Sequence, residues 1–205
     1  MTQSAQGRQA QKEATRARIL DVARAHLERD GFQTTNIRAI AQEAGVAPGT
    51  VLLHFTDKLG LLHAALHDDL EEAIERSLST RSRGSLLRRL CAVVRPFYAY
   101  YAARPSFSKT LLRESLLSES PWRERFTEQL LRVNAYVVAM VEKAKGSGEL
   151  APTTQVDIFA TAFFSFYYMV LIAWVQGGLA EPLLLFELLM AQHITGSAGP
   201  SAEAR

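Results

Sequence analysis

The sequence has few of the residues that build several classes of functional site. Its one cysteine, Cys91, excludes an internal disulfide framework and a cluster of thiolate ligands. The polar segment from Met1 to Glu13 contains no apolar run, so we expect no secretory signal. Neither a paired nucleophile and base nor a phosphate-binding glycine loop is visible, so we expect no enzyme activity and no cofactor. These absences favour a protein of the reducing cytoplasm.

Charge and composition narrow the class of protein but do not identify a binding partner. The chain carries 23 Lys and Arg against 21 Asp and Glu, a net charge of +2 that is too small to argue for nucleic acid by itself. With 48% hydrophobic and 21% charged residues, wholesale disorder is excluded. A length of 205 residues fits one domain or two small ones.

Strand signals are also lacking, and helical spacing fills the sequence. We find no alternating strand pattern of useful length, so we predict an all-α fold of about nine helices. A first helix is expected from about Ala14 to Asp30-Gly31, and a second after Thr35 or Asn36 as its N-cap. The later helices are expected over residues 48–55, 58–78, 86–103, 106–117, 121–145, 154–175 and 183–194.

Two short helices that meet at Gly45 have the spacing of a helix-turn-helix. Ala41 is small enough for a close helix crossing, Gly45 permits a turn with positive φ, and Val46 and Val51 are suited to the core between the helices. By pattern alone, the segment also fits an ordinary packed helical hairpin.

The second of these helices presents residues suited to DNA. Pro48, Gly49 and Thr50 lie at its N-terminus, where amides and the helix dipole favour a phosphate or a base edge. Thr50, Leu53 and His54 are predicted to point outward. Arg38 can offer a bidentate fork to guanine, and Lys58 suits a phosphate.

The string from Ile19 to Leu62 resembles the TetR family of transcriptional regulators. The motifs G-F, I-A-x-x-A-G-V, G-T, H-F and D-K-x-x-L all fall in register over roughly the first third of the chain. The resemblance implies phosphate contacts from Thr35 and Asn36, a base contact from Arg38 and a backbone clamp at Lys58. It also assigns to the recognition helix the residues Pro48, Gly49, Thr50, Leu53 and His54.

Two positions depart from the family pattern. Leu52 stands where the family usually has a tyrosine, and Ala47 stands where a capping serine or threonine is common. Both changes remove polar reach to DNA. Affinity for DNA is therefore expected to depend more on Arg38, Lys58 and a basic N-terminal stretch that consists of Arg8, Lys12, Arg16 and Arg18. The alternative interpretation of this stretch is an ordinary solvated helix face.

Aromatic residues divide the chain into two parts. Residues 1–50 contain only Phe32, whereas residues 97–107 and 159–174 hold twelve of the eighteen aromatics. The aromatic part is either plain packing or an apolar pocket with a few polar groups, supplied by Arg113 or Glu114. The resemblance implies a small, often hydrophobic effector, and the pocket candidates are Phe97, Tyr98, Tyr101, Phe107, Arg113, Trp122, Phe126, Phe164 and Tyr168.

Residues 158–180 form a long uncharged run that admits two interpretations. Its length suits a membrane span, which makes a membrane-associated helical protein the alternative hypothesis. Thr161, Ser165 and Gln176 dilute its apolarity, and acidic residues flank it where Lys or Arg would anchor a span. Through the resemblance, helices 154–175 and 183–194 are instead expected to form a homodimer surface, with no membrane involved.

A histidine pair on the fourth helix is the remaining candidate site. His63 and His67 are four residues apart, a spacing that can hold a metal, and Asp68 and Asp69 follow. Two histidines without a third ligand in register do not make a metal site, so we predict none.

The hypothesis from sequence is a ligand-responsive DNA-binding regulator. We expect a homodimeric repressor that a small ligand releases from a pseudo-palindromic double-stranded DNA operator, located in the cytoplasm and on the nucleoid when bound to DNA. The predicted organisation is a flexible basic arm (1–13), a helix-turn-helix domain (14–57), a ligand-binding and dimerisation domain (58–195) and a frayed tail (196–205).

Overall fold

The computed structural model describes residues 2–79, 83–105 and 108–197, with side chains from residue 6 onward, and these segments are all-α. They contain nine helices and no strand, as predicted. The helices are α1 (Thr2–Thr34), α2 (Ile37–Glu43), α3 (Pro48–Phe55), α4 (Lys58–Ser79), α5 (Leu86–Ala102), α6 (Ser108–Leu117), α7 (Trp122–Gly146), α8 (Val156–Val175) and α9 (Pro182–Ser197).

The chain divides into two compact units. The first unit contains residues 1–69 and 106–122, and the second contains residues 70–105 and 123–205. Beyond the predicted helix-turn-helix range of 14–57, the first unit therefore also includes the beginning of α4 and all of α6.

A small apolar core holds the first unit together. Ile19, Ile40, Ala41 and Val51 are fully buried in it, so the small residue at the α2–α3 crossing lies where the sequence predicts. Val46 packs against the same cluster. Burial of apolar surface stabilises the folded unit by about 25 cal/mol for each Å² removed from water. A helical hairpin on the surface would bury less apolar area and gain less stability.

Aromatic rings dominate the core of the second unit. Phe163 and Phe186 are fully buried, and their rings meet edge to face with centroids 5.4 Å apart. Tyr98 contacts the rings of both Tyr167 and Trp174. Such pairs contribute roughly 0.5–1.5 kcal/mol beyond their buried area, so aromatic packing adds to the burial that holds α5, α8 and α9 together.

The first helix differs from its predicted start. α1 begins at Thr2, so the predicted start near Ala14 is wrong, and the segment expected to precede the helix is helical. Gln, Ala, Lys and Glu are good helix formers, and Gln9 donates to Glu13 one turn later at 2.7 Å. The predicted end is confirmed as a break, since Gly31 has φ 74° and ψ 166°, a conformation that is essentially restricted to glycine.

The C-terminal tail lies mostly outside the described residues. α9 continues through Gly196 to Ser197, so the first two residues of the predicted tail (196–205) are helical. Residues 198–205 are not described by the structure.

Candidate DNA-binding surface

The turn between α2 and α3 is built as the sequence predicts. Asn36 is the N-cap of α2, and its side chain accepts a hydrogen bond from the Arg38 amide at 2.8 Å. Gly45 turns the chain with φ 65°, and the Val46 amide then donates to the Ala41 carbonyl at 2.9 Å. These contacts fix the angle at which α3 leaves α2.

The N-terminus of α3 offers fewer free amides than the sequence suggests. Pro48 occupies the first turn and has no amide hydrogen, and Ala47 provides no side-chain cap. The Thr50 amide donates to the Ala47 carbonyl at 2.9 Å. Of Pro48, Gly49 and Thr50, Gly49 is therefore the residue whose amide hydrogen is not bound by a carbonyl of the described residues.

The outward face of α3 is apolar at its centre and carries an imidazole beside it. Leu53 is 81% exposed, the largest exposed fraction among the exposed large hydrophobic side chains of the described residues. His54 is half-buried, with its ring centroid 5.9 Å from that of Phe55. An exposed leucine and an imidazole on one helix face can contact a thymine methyl group and a base edge or phosphate.

Burial, and to a lesser extent nearby positive charge, favours the neutral form of His54. Burial lowers the pKa of His54 below its usual value of 6.5, and the cationic side chains of Lys12 and Arg16 lower this pKa further. At neutral pH the imidazole therefore presents one donor and one acceptor.

Arg38 lies on the exposed side of α2 with a free guanidinium. Its side chain is exposed, and within the described part of the chain no group accepts a hydrogen bond from its guanidinium. A planar fork held on a capped helix, with no internal partner, is available to a planar acceptor pair such as guanine O6 and N7.

Lys58 has a different role from the predicted free phosphate clamp. Its Nζ donates to the carbonyl oxygens of Gln33 and Thr35, each at 3.1 Å, and lies 4.6 Å from the centre of the Phe32 ring. Two of its three ammonium hydrogens thus bind the chain between α1 and α2. We interpret Lys58 as a positioning residue of this surface.

Thr35 is also committed to the fold. Its side chain is 4% exposed, and its hydroxyl donates to the Gly31 carbonyl at 2.7 Å. A buried hydroxyl with an internal acceptor is not presented to a phosphate, so we remove Thr35 from the proposed contacts.

Sequence reasoning missed the internal contacts of Lys58 and Arg16. The Arg16 Nη1 lies 3.1 Å from Asp68 Oδ2, and its guanidinium lies 5.6 Å from the centre of the Phe55 ring. In the sequence, Arg16 is recognisable only as a basic residue on a helix face, because no neighbouring residue indicates a carboxylate 52 positions away. Arg16 therefore fixes α1 against α3 and α4.

A strained turn joins α3 to α4. Thr56 has φ 65° and ψ −55°, and the Asp57 amide donates to the Phe55 carbonyl at 2.7 Å, which is the geometry of a γ-turn. Asp57 then caps α4 as predicted, since its carboxylate accepts from the Gly60 amide at 2.6 Å. A Cβ at Gly60 would collide with the Phe55 carbonyl oxygen, so this close approach requires a glycine.

Thr56→Gly is expected to stabilise the protein. A β-branched residue at positive φ is strained by about 1–3 kcal/mol, and glycine removes most of that strain at the cost of added freedom in the unfolded chain. We expect the free energy of unfolding to rise by about 1 kcal/mol. Urea denaturation measures it, with Thr127→Gly at an exposed position in the second turn of α7 as the matched control that should lower stability. A Thr56→Gly protein no more stable than the parent would mean that the turn carries no strain.

The predicted ligand residues are not brought together within one unit. Arg113 and Trp122 belong to the first unit, and Phe107 lies outside the described residues. Arg113 is exposed and paired with Glu114, whereas Trp122 packs on the rings of His63 and His67. The set of nine does not lie within one unit and stays a prediction; its members in the second unit are Phe97, Tyr98, Tyr101, Phe126, Phe164 and Tyr168.

The histidine pair on α4 has a packing role. His63 is buried, and its Nε2 lies 3.0 Å from Glu114 Oε2. Over the three described segments, no group of three or more His, Cys, Asp and Glu side chains is arranged to hold a metal ion. His63 instead joins α4 to α6 within the first unit.

α8 and α9 each leave an apolar face uncovered. Met169 on α8 and Leu188 on α9 are 66% and 59% exposed. By length and composition α8 is also the one described helix that could cross a membrane, a test that core helices of soluble proteins pass as well. Between the two helices lies a groove of about 460 Å³, and its lining is Phe166, Leu189, Gln192, His193, Gly196 and Ser197.

Comparison with known proteins identifies relatives of the N-terminal part. Residues 19–65 match the family described as bacterial regulatory proteins, tetR family. The chain is 35% identical over 68 residues to the HTH-type transcriptional regulator UidR of Escherichia coli (strain K12), covering 33% of this chain and 35% of that protein. It is 38% identical over 79 residues to the HTH-type transcriptional repressor KstR of Rhodococcus jostii (strain RHA1), covering 38% and 37%. These matches span about a third of the relatives' length.

The whole fold also has solved counterparts. The structure described as a transcriptional regulator FadR from Bacillus subtilis in complex with stearoyl-CoA superimposes with a TM-score of 0.66 and 19% identity. The match covers 88% of this chain and 98% of that one. At this identity the similarity establishes the fold, namely an N-terminal helix-turn-helix followed by a helical domain.

Proposed function

Because residues 19–65 match the tetR family of bacterial regulatory proteins, we propose that the chain is a member of that family and a sequence-specific DNA-binding transcriptional regulator that acts as a homodimeric repressor. The single observation that carries the proposal is the outward face of α3, where an 81% exposed Leu53 lies beside His54 on a helix fixed by the first unit's core. Double-stranded DNA fits the shape and the charge of this surface.

The proposed reading of DNA assigns a separate role to each side chain. α3 enters the major groove, where Leu53 contacts a thymine methyl group and His54 and Thr50 contact base edges or phosphates. Arg38 reads guanine from the preceding helix. Asn36 and Gly49 lie at helix N-termini, where backbone amides suit a phosphate oxygen, and Pro48 contributes by fixing the first turn of α3.

We propose that the uncovered faces of α8 and α9 form the homodimer interface. Thr161, Ser165 and Thr195 lie on these faces, and each hydroxyl donates to the carbonyl four residues earlier in its own helix. These polar groups can therefore enter an apolar interface without losing a hydrogen bond. The exposed residues that would form the interface are Ile158, Thr161, Ser165 and Met169 of α8, with Leu184, Leu188, Gln192 and Thr195 of α9.

A four-helix dimer interface has a direct consequence for the DNA site. A two-fold axis presents two copies of α3 to one duplex, so the operator should be pseudo-palindromic with half-sites about one helical turn apart. In this proposal, the apolar run of residues 158–180 is buried by a second chain and not by lipid.

We propose that the second unit binds a small hydrophobic effector. The support is its aromatic content and the neighbouring fold of a regulator crystallised with stearoyl-CoA. An effector that binds one packing of α5, α8 and α9 better than another would shift α4, which has residues in both units, and so change how the two α3 helices meet DNA. Mass spectrometry of molecules extracted from the purified protein tests this proposal.

We further propose that the protein is not an enzyme and works in the cytoplasm, on the nucleoid when bound to its operator. Its matched relatives are named transcriptional regulators, and regulators of this family are soluble DNA-binding proteins.

Direct binding to DNA tests the proposed function. The full chain is titrated onto labelled DNA from upstream of its own gene and onto a shuffled duplex of equal length, at several salt concentrations. We expect tighter binding to the upstream DNA and a steep fall in affinity as salt rises. Equal, salt-insensitive affinity for both duplexes would refute the proposal.

His54 is expected to make DNA binding pH-dependent. Its pKa lies below 6.5 in the free protein, and phosphates near the ring would raise this pKa in the complex. The complex then takes up a proton, so affinity should rise as pH falls through the pKa of the bound state and level off below that of the free state. Each unit of difference corresponds to about tenfold in affinity. Anisotropy titrations from pH 8 to pH 5 at fixed ionic strength measure the effect, and His54→Asn should flatten the profile.

A further inference from the structure

The first turns of α1 extend beyond the apolar core. The side chains of residues 6–14 are all exposed, and the first residues of α1 in the core are Ile19 and Leu20. The segment has no apolar stripe that a partner helix could cover. Isolated helices shorter than about 12–15 residues are marginal in water, so tertiary packing within the chain does not account for this extension.

One face of the extension is cationic and is held against the DNA-binding surface. Arg8, Lys12 and Arg16 are spaced four residues apart and therefore share a face. Arg16 is fixed to Asp68 of α4 and lies over the Phe55 ring of α3. Between Arg8 and Arg18 there are four cationic side chains and one carboxylate, Glu13.

Lys12 continues this face one turn beyond Arg16, on the side where α3 exposes His54. Its positive charge is one of the causes that lower the pKa of His54, after burial, and Arg16 is the other. Lys12 is exposed, and no described side chain or carbonyl accepts a hydrogen bond from its ammonium. An unpaired ammonium thus lies near the helix that carries the proposed base contacts.

We propose that residues 6–14 of α1 form a second DNA-contacting element, in which Lys12 binds a backbone phosphate beside the base pairs that α3 reads. The inference rests on the proposed function and extends it to a surface outside the helix-turn-helix. Charge complementarity selects the DNA backbone as the occupant, since a compact ammonium on a flexible stem suits a phosphate and carries no base preference. The extension also adjoins the α3 surface, so both can engage one duplex.

Salt-dependent binding of Lys12→Ala tests the proposal. Loss of one phosphate contact should reduce the slope of log K against log salt by about 0.9. Affinity should fall by the same factor for the operator and for shuffled DNA, because a phosphate contact is blind to sequence. Lys12→Arg should keep the parent slope. The matched control is Lys143→Ala, an exposed lysine in the last turn of α7, which should bind like the parent protein.

A second readout checks the position of Lys12 without DNA. Removing its charge should raise the pKa of His54 toward 6.5 in an NMR titration of the free protein. Circular dichroism should show parent-like stability, since Lys12 is exposed and makes no internal contact.

Each other outcome has a definite meaning. An unchanged slope, or an unchanged pKa of His54, overturns the inference about Lys12 and leaves the proposed function standing. A loss confined to the operator overturns the phosphate assignment. Failure of the parent protein to bind any DNA in a salt-sensitive manner removes the proposed function itself, and with it the inference.

Discussion

Arg38→Ala is expected to lose discrimination between operator and shuffled DNA while keeping most of its general affinity for DNA. Arg38 is exposed on a helix whose start is fixed by the Asn36 cap, and its guanidinium has no partner among the described residues. A bidentate contact to guanine contributes about 1–3 kcal/mol of discrimination, so operator affinity should fall roughly 5- to 150-fold. Competition titrations with the two duplexes measure the ratio directly.

The conservative variant separates base reading from simple charge. Arg38→Lys keeps the positive charge but lacks the planar fork, so it should lose most of the discrimination as well. Arg95→Ala removes an exposed arginine from α5 and should leave both affinities unchanged. If Arg38→Ala weakens operator and shuffled DNA equally, then Arg38 contacts phosphate and the assignment of base reading to it is wrong.

Leu188→Glu is expected to convert the protein to a monomer and to abolish tight operator binding. Leu188 lies on the uncovered face of α9, and a carboxylate there would be desolvated on dimer formation without a partner. A monomer engages the duplex with only one α3 helix. It therefore loses the gain in affinity that comes from linking two contacts, which is about a hundredfold or more. Sedimentation equilibrium gives the mass, and anisotropy gives the affinity.

Leu131→Glu provides a matched control for the dimer prediction. Leu131 lies on α7 and is 59% exposed, the same fraction as Leu188. It should remain a dimer and bind the operator like the parent protein. A dimeric Leu188→Glu protein would place the interface elsewhere, and a parent protein that sediments with membranes in the absence of detergent would favour the membrane alternative for residues 158–180.

Local chemistry made the helix-turn-helix readable from sequence. Asn36, Gly45 and Asp57 each act within a few residues of their own position, through a cap, a turn and a second cap. Such devices leave a signal in the string because the partner is a neighbouring backbone amide. The bounds of α2 and α3 followed from these residues.

Long-range partners could not be read in the same way. Lys58 was predicted to contact a DNA phosphate, and it binds carbonyls 23 and 25 positions earlier. Trp122 was grouped with the aromatic bundle by composition, yet it packs on His63 and His67 of the first unit. A sequence motif shows which residue types are present. Which of those residues remain available to a ligand depends on their tertiary contacts.

The early start of α1 has a related cause. Residues 2–13 lack an apolar stripe, and the absence of hydrophobic periodicity was taken to mean that no helix forms there. Intrinsic propensity and a side-chain pair sustain the helix instead. This is also the segment in which we place Lys12 against the DNA backbone.

Selection of bound duplexes from a random DNA library tests the central claim most directly. The full chain is equilibrated with the library at moderate salt, and the retained DNA is sequenced over successive rounds. We expect enrichment of one pseudo-palindromic motif with half-sites about one helical turn apart, and loss of its guanine preference in Arg38→Ala. A library that emerges unenriched, with no motif shared among the retained duplexes, would contradict the claim that α3 reads DNA.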